Sequence, residues 1–87
     1  MGRKITEVER IMLKKLQKIS DEDDFLYSFV VYLKTDEERK FVIDVLNKGI
    51  IKEPSEATIL AINILNARKA SNGNGNYLKG IEIVTAN

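Results

Sequence analysis

Apolar residues recur at helical spacing in four segments of the chain, and each segment follows residues that can cap a helix. Before the first segment, Thr6 is followed three residues later by Glu9, which is the capping-box pattern of a helix start. Five apolar residues then share one helical face: Val8, Ile11, Met12, Leu16 and Ile19. The pattern predicts a first helix over residues 6–19.

The second segment, residues 24–34, is the most apolar part of the chain. It holds four of the aromatic residues: Phe25, Tyr27, Phe29 and Tyr32. This composition would also suit a buried strand. The flanks favour a helix over residues 21–34, because Ser20 is a good N-cap residue and Thr35 opens another helix. Since the segment is apolar almost all round, we expect it to be the most enclosed helix.

Two further helices complete the predicted fold. Thr35 and Glu38 form a second capping box, which predicts a helix over residues 36–48 that ends at Gly49. The only proline, Pro54, fits the entry to a helix over residues 55–69, with Glu53 or Ser55 as its cap. The sequence therefore predicts an all-α fold, a compact bundle of about four helices within residues 1–70.

The C-terminal part of the chain has a different character. Residues 71–76 predict a flexible linker of serine, asparagine and glycine, and residues 77–87 an extended segment, because Ile81 and Ile83 alternate with a glutamate. A single strand cannot satisfy its own backbone groups. The segment could lie over the bundle, anchored by Tyr77, Leu78 and Ile81. It could also pair with a second copy of itself, or stay disordered until a target adds a strand; we favour the first two arrangements.

Composition narrows the chemistry that the chain could perform. It contains no cysteine and no histidine, so it lacks thiolate ligands and the commonest general base. No phosphate-binding loop or nucleophile elbow is present. The acidic residues 21–24 favour helix capping over a calcium site, because the glycine turn and distal glutamate of a calcium loop are missing. We expect a non-enzymatic protein with no cofactor and no bound metal.

Charge is balanced overall but unevenly placed. The net charge is +1, with a basic segment over residues 1–20 and an acidic segment over residues 21–44. We expect these two segments to attract each other inside the fold. Arg10, Lys14 and Lys18 form a basic stripe at i, i+4 and i+8. The stripe could hold phosphates, which makes a weak nucleic-acid-binding protein the alternative interpretation, although no aromatic residue accompanies it to stack on bases.

The fourth predicted helix carries the candidate partner surface. Ile59 and Ile62 lie away from its inner face, beside Asn63 and Asn66. A helix-turn-helix using this helix for base contacts is disfavoured, because the join before it is long. Two spare isoleucines favour a protein-interaction or regulatory module that binds another protein or a second copy of itself. No signal peptide or membrane-spanning run is visible, so a cytoplasmic location is expected.

Overall fold

Four helices account for most of the chain. The computed structural model describes residues 4–72 and 76–81. Within these residues lie α1 (Glu7–Gln17), α2 (Asp23–Tyr32), α3 (Asp36–Asn47), α4 (Pro54–Ser71) and one turn of 3-10 helix, η1 (Tyr77–Gly80). The predicted all-α bundle of four helices is confirmed, and the predicted helix ends are within about two residues of those observed.

Local caps explain where the helices begin. The hydroxyl of Thr6 accepts a hydrogen bond from the Glu9 backbone N–H at 3.0 Å, so the first predicted capping box is formed at its threonine. Thr35 does the same for Glu38 at 3.1 Å. The predicted cap of α2 is wrong, because the helix starts later and its N-cap is Glu22. Ser20 accepts only a longer bond of 3.3 Å, from the Glu22 backbone N–H.

The third residue of α1, α3 and α4 is in each case a buried glutamate: Glu9, Glu38 and Glu56. The Glu56 carboxylate accepts backbone hydrogen bonds from Lys52 at 2.9 Å and Glu53 at 3.1 Å. Such carboxylates satisfy N–H groups that a helix start leaves unpaired, and they lie at the positive end of the helix dipole. The Glu38 carboxylate accepts in the same way from the Lys34 backbone N–H at 2.7 Å. Glu38 and Glu56 therefore help to fix the loops that lead into α3 and α4.

The first and third helices lie side by side and run in the same direction. Near their N-termini, the Thr6 hydroxyl donates to the Asp36 carboxylate at 3.0 Å. At their other ends, Lys15 of α1 and Leu46 of α3 line the same cavity. A parallel pair of this kind needs a return segment, and α2 provides it.

The core lies between the helices and consists of buried residues from all four. Phe25 and Phe29 of α2 meet edge to face, with ring centroids 5.5 Å apart. Ala57 and Ala61 of α4 are fully buried. Their small side chains allow the neighbouring helices to approach closely. The other buried apolar residues are Met12, Leu16, Leu33, Val42, Val45, Ile51, Leu60 and Ile64.

The expectation that α2 is the most enclosed helix is wrong. Only Phe25 and Phe29 within it are buried, whereas Tyr27 is 66% exposed and Val31 is also exposed. The helix packs against α4 and α1, which cover its phenylalanine side and leave the opposite side open. α4 is more enclosed, with five buried residues.

The C-terminal segment differs from its prediction. Residues 77–80 form a 3-10 turn instead of an extended strand, and Ser71 belongs to α4 instead of the linker. A 3-10 turn forms hydrogen bonds within itself, which solves the problem that a lone strand would leave. Tyr77, Leu78 and Ile81 are partly buried against the core, so the expected anchors do contact the bundle. The remainder of the predicted strand, residues 82–87, and linker residues 73–75 lie outside the described part of the chain.

Candidate interaction surface

The outer side of α4 combines exposed apolar residues with a lack of charge. Ile59 and Ile62 are 39% and 36% exposed. From residue 57 to residue 67 the helix contains no charged side chain, in a chain that is 31% charged. Water-facing helix surfaces usually carry charged residues opposite their apolar stripe. This side of α4 is therefore unusually apolar for a surface exposed to water.

The two asparagines predicted for this surface differ in exposure. Asn66 is exposed, whereas Asn63 is half-buried. Asn63 and Ala67 form one wall of a groove of about 430 Å³, and Gly80 and Ile81 form the other. We call Ile59, Ile62, Asn63 and Asn66 the α4 outer surface; the groove beside η1 continues it towards the C-terminal end of the helix.

A buried polar cluster holds the η1 wall of this groove in place. One guanidinium nitrogen of Arg68 donates to both carboxylate oxygens of Glu38, at 2.9 and 3.0 Å. The Tyr77 hydroxyl donates to the same carboxylate, and so does the Lys34 backbone N–H at 2.7 Å. The guanidinium also donates to the Tyr32 carbonyl at 3.2 Å. This cluster ties α3, α4 and η1 together around one fully buried carboxylate.

The pKa values within the cluster follow from these contacts. Burial alone would raise the pKa of the Glu38 carboxyl, but the hydrogen bonds that it accepts outweigh burial and hold that pKa below its ordinary value. Burial and the neighbouring Glu38 carboxylate raise the pKa of Tyr77 to about 12. At neutral pH the carboxylate is therefore ionised and the phenol keeps its proton, as the hydrogen bond between them requires.

Sequence reasoning did not find this cluster. Glu38 was recognised only as part of a capping box, and Arg68 was considered only as a base contact of the disfavoured helix-turn-helix. The burial of a capping-box glutamate together with an arginine on a neighbouring helix depends on packing, which no local pattern reveals. The one available signal was Tyr77, whose hydroxyl needs a partner when its ring packs on a core.

The basic stripe on α1 lies at the surface, as its spacing predicts. Arg10, Lys14 and Lys18 are all exposed, and Arg10 forms a solvated pair with Glu7 at 3.6 Å. Two of these residues border a groove of about 380 Å³ whose other lining residues are uncharged: Ile5, Leu13 and Gln17. This groove therefore combines apolar and basic side chains, whereas a surface that binds phosphates through charge alone does not need the apolar ones.

The acidic residues 21–24 are also exposed, at the start of α2. Among residues 4–72 and 76–81, no ion pair joins them to the basic residues of α1. The expected attraction between the two segments is therefore not realised as ion pairs in the described part of the chain. Residues 4–72 and 76–81 also contain no group of acidic side chains arranged to hold a metal ion.

Comparison of the chain with protein-family models, curated proteins and solved structures finds no match in any of the three. None of the helices in the described residues is long and apolar enough to cross a membrane. The functional argument therefore depends on the surfaces and buried groups described above.

Proposed function

We propose that this chain is a non-enzymatic interaction module that binds another protein through the α4 outer surface. The observation that carries the proposal is the exposure of Ile59 and Ile62 on a helical stretch without charge. Exposed apolar residues that lie together, rimmed by polar ones, are typical of protein-binding surfaces. The two asparagines supply the polar rim. The groove beside Ile81 supplies a depression for a partner side chain.

The lowered pKa values of two carboxyl groups support a structural role for these groups over a catalytic one. Hydrogen bonding to Arg39 lowers the pKa of Asp36, and the contacts described above lower that of Glu38. A carboxyl group that acts as a general acid or base needs its pKa raised towards the working pH, whereas the pKa values of Asp36 and Glu38 are both lowered. The Glu38 carboxylate is also fully buried among its partners, where a substrate would not reach it.

The proposal is tested by affinity capture from the native host with three tagged proteins. These are the natural chain, Ile62→Glu, and the control Ile50→Glu, whose isoleucine is 37% exposed outside α4. We expect one protein to be retained in stoichiometric amount by the natural chain and the control, and lost with Ile62→Glu. Retention of identical proteins by all three would contradict the proposal.

A further inference from the structure

We infer that the chain associates with a second copy of itself by placing α2 of one copy in the groove on α1 of the other. The groove is the one lined by Ile5, Arg10, Leu13, Lys14 and Gln17, called the α1 groove below. This inference does not depend on the proposed function, because it concerns a different surface of the bundle.

The first step concerns what the α1 groove would accept. Ile5 and Leu13 provide apolar lining, while Arg10 and Lys14 carry positive charge one helical turn apart. Ile11, which follows Arg10 on the same helix, is also exposed. A fitting occupant has apolar side chains together with acidic ones, because opposite charges steer association and exclude partners of like charge.

The second step is that the chain itself carries such a surface. On α2, Asp23, Tyr27 and Val31 follow one another at i, i+4 and i+8, and Asp24 lies beside them. Tyr27 is 66% exposed, the highest value among the large exposed apolar residues of the described chain. We call these four residues the α2 acidic face. An amphipathic helix laid along a groove is a common mode of recognition.

The third step is that the two surfaces match in length and in charge. At about 1.5 Å per residue, Arg10 to Gln17 spans roughly 10 Å and Asp23 to Val31 roughly 12 Å. The carboxylates of the α2 acidic face form no ion pair within the described residues, and Lys14 forms none either. A net charge of only +1 adds little general repulsion between copies.

The test is sedimentation velocity over a series of concentrations with single charge reversals. We expect the natural chain to self-associate at low salt and to dissociate as salt rises, because the pairing includes exposed charges. Lys14→Glu and Asp24→Lys should each weaken self-association about tenfold or more. Lys52→Glu makes the same change of charge at an exposed position outside both surfaces and should leave it unchanged.

Mixing the two reversed variants provides the decisive comparison. Lys14→Glu retains an intact α2 acidic face and Asp24→Lys an intact α1 groove, so equal amounts of the two should associate again. Circular dichroism checks that each variant is folded. If either is not, the chain that carries both Lys14→Glu and Asp24→Lys provides the second measurement; its reversed charges again face opposite ones, so it should self-associate.

Three results would overturn the inference: a natural chain that is monomeric at every concentration at low salt, equal effects of Lys14→Glu and Lys52→Glu, or no recovery on mixing. Saturable binding of a labelled DNA duplex by a monomeric chain, lost in Lys14→Glu, would instead assign the α1 groove to nucleic acid.

Discussion

Arg68 and Glu38 lie thirty residues apart in the sequence, yet one nitrogen of the arginine donates to both oxygens of the buried carboxylate. The glutamate side chain is fully buried, whereas that of the arginine is 22% exposed. An ionised carboxylate in this position depends on its donors, since an unpaired buried charge is strongly unfavourable. The contact therefore links the start of α3 to the end of α4.

Replacing the Arg68 guanidinium should destabilise the fold much more than replacing the exposed Arg10 guanidinium. We expect Arg68→Met to lower the free energy of unfolding by about 2–3 kcal/mol, because Glu38 then loses its charged partner. Arg10→Met removes the exposed pair with Glu7 and should cost less than about 0.5 kcal/mol. Urea unfolding of both variants measures the difference, and equal losses would show that the buried pair has no special role.

The lowered pKa values of Asp36 and Glu38 predict sensitivity to acid. A carboxyl group whose pKa is lower in the folded state binds more protons when unfolded. Its stabilising contribution is therefore present above the ordinary carboxyl pKa and lost as pH falls through the folded value. We expect the urea concentration at the unfolding midpoint to decrease as the pH is lowered from about 5 to about 3. Glu38→Gln should show a lower midpoint at neutral pH and a flatter dependence; an identical slope would contradict this account.

The Tyr77 hydroxyl should matter to the position of η1. Tyr77→Phe keeps the ring but removes the donor to Glu38, and we expect a loss of about 1 kcal/mol. Tyr27→Phe removes a hydroxyl from a side chain that is mostly exposed and should be neutral. Hydrogen exchange of the backbone N–H groups in residues 77–81 provides the local measurement. Faster exchange only in Tyr77→Phe is expected, and no change in either variant would mean that packing alone holds η1.

Alkaline titration tests the same contact independently. Since the pKa of Tyr77 is raised to about 12, the folded state keeps this proton where the unfolded state releases it. The stabilising contribution is therefore present below about pH 10 and lost as pH rises towards 12. Ultraviolet absorbance should show a late tyrosine ionisation near pH 12, and Tyr77→Phe should remove that late step. A late step that persists in the variant would assign it to another residue.

The sequence predicted most of the fold because the helix signals are local. The Thr6 and Thr35 caps, the stop at Gly49 and the entry at Pro54 each depend on a few neighbouring residues. Gly49 has a φ of 72°, a conformation that glycine adopts without steric cost.

The errors arose where long-range packing decides the outcome. The apolar pattern of α2 shows which residues share a face, but it cannot show that only one side is covered, so α2 was expected to be the most enclosed helix. The polar cluster was missed for the same reason: its members meet only after α3, α4 and η1 have packed. In residues 77–80, the short apolar run suits a strand, but the bundle provides no neighbouring strand in the described residues.

The caps themselves can be ranked by their geometry. Thr35→Ala removes the acceptor of a 3.1 Å bond at the start of α3 and should cost about 1 kcal/mol. Ser20→Ala removes only the longer bond ahead of α2, outside its N-cap position, and should cost much less. Thermal unfolding of the two variants measures the contrast. A larger loss for Ser20→Ala would show that α2 begins at that serine in solution.

Binding through the α4 outer surface is tested most directly by photocrosslinking in extracts of the native host. A photoreactive residue replaces Ile59 in one protein and Ile50 in a control, positions that are 39% and 37% exposed. We predict one saturable protein adduct from position 59, absent from position 50 and abolished when Ile62→Glu is added. The same adducts from both positions, or an adduct at position 59 that survives Ile62→Glu, would contradict the assignment of this surface.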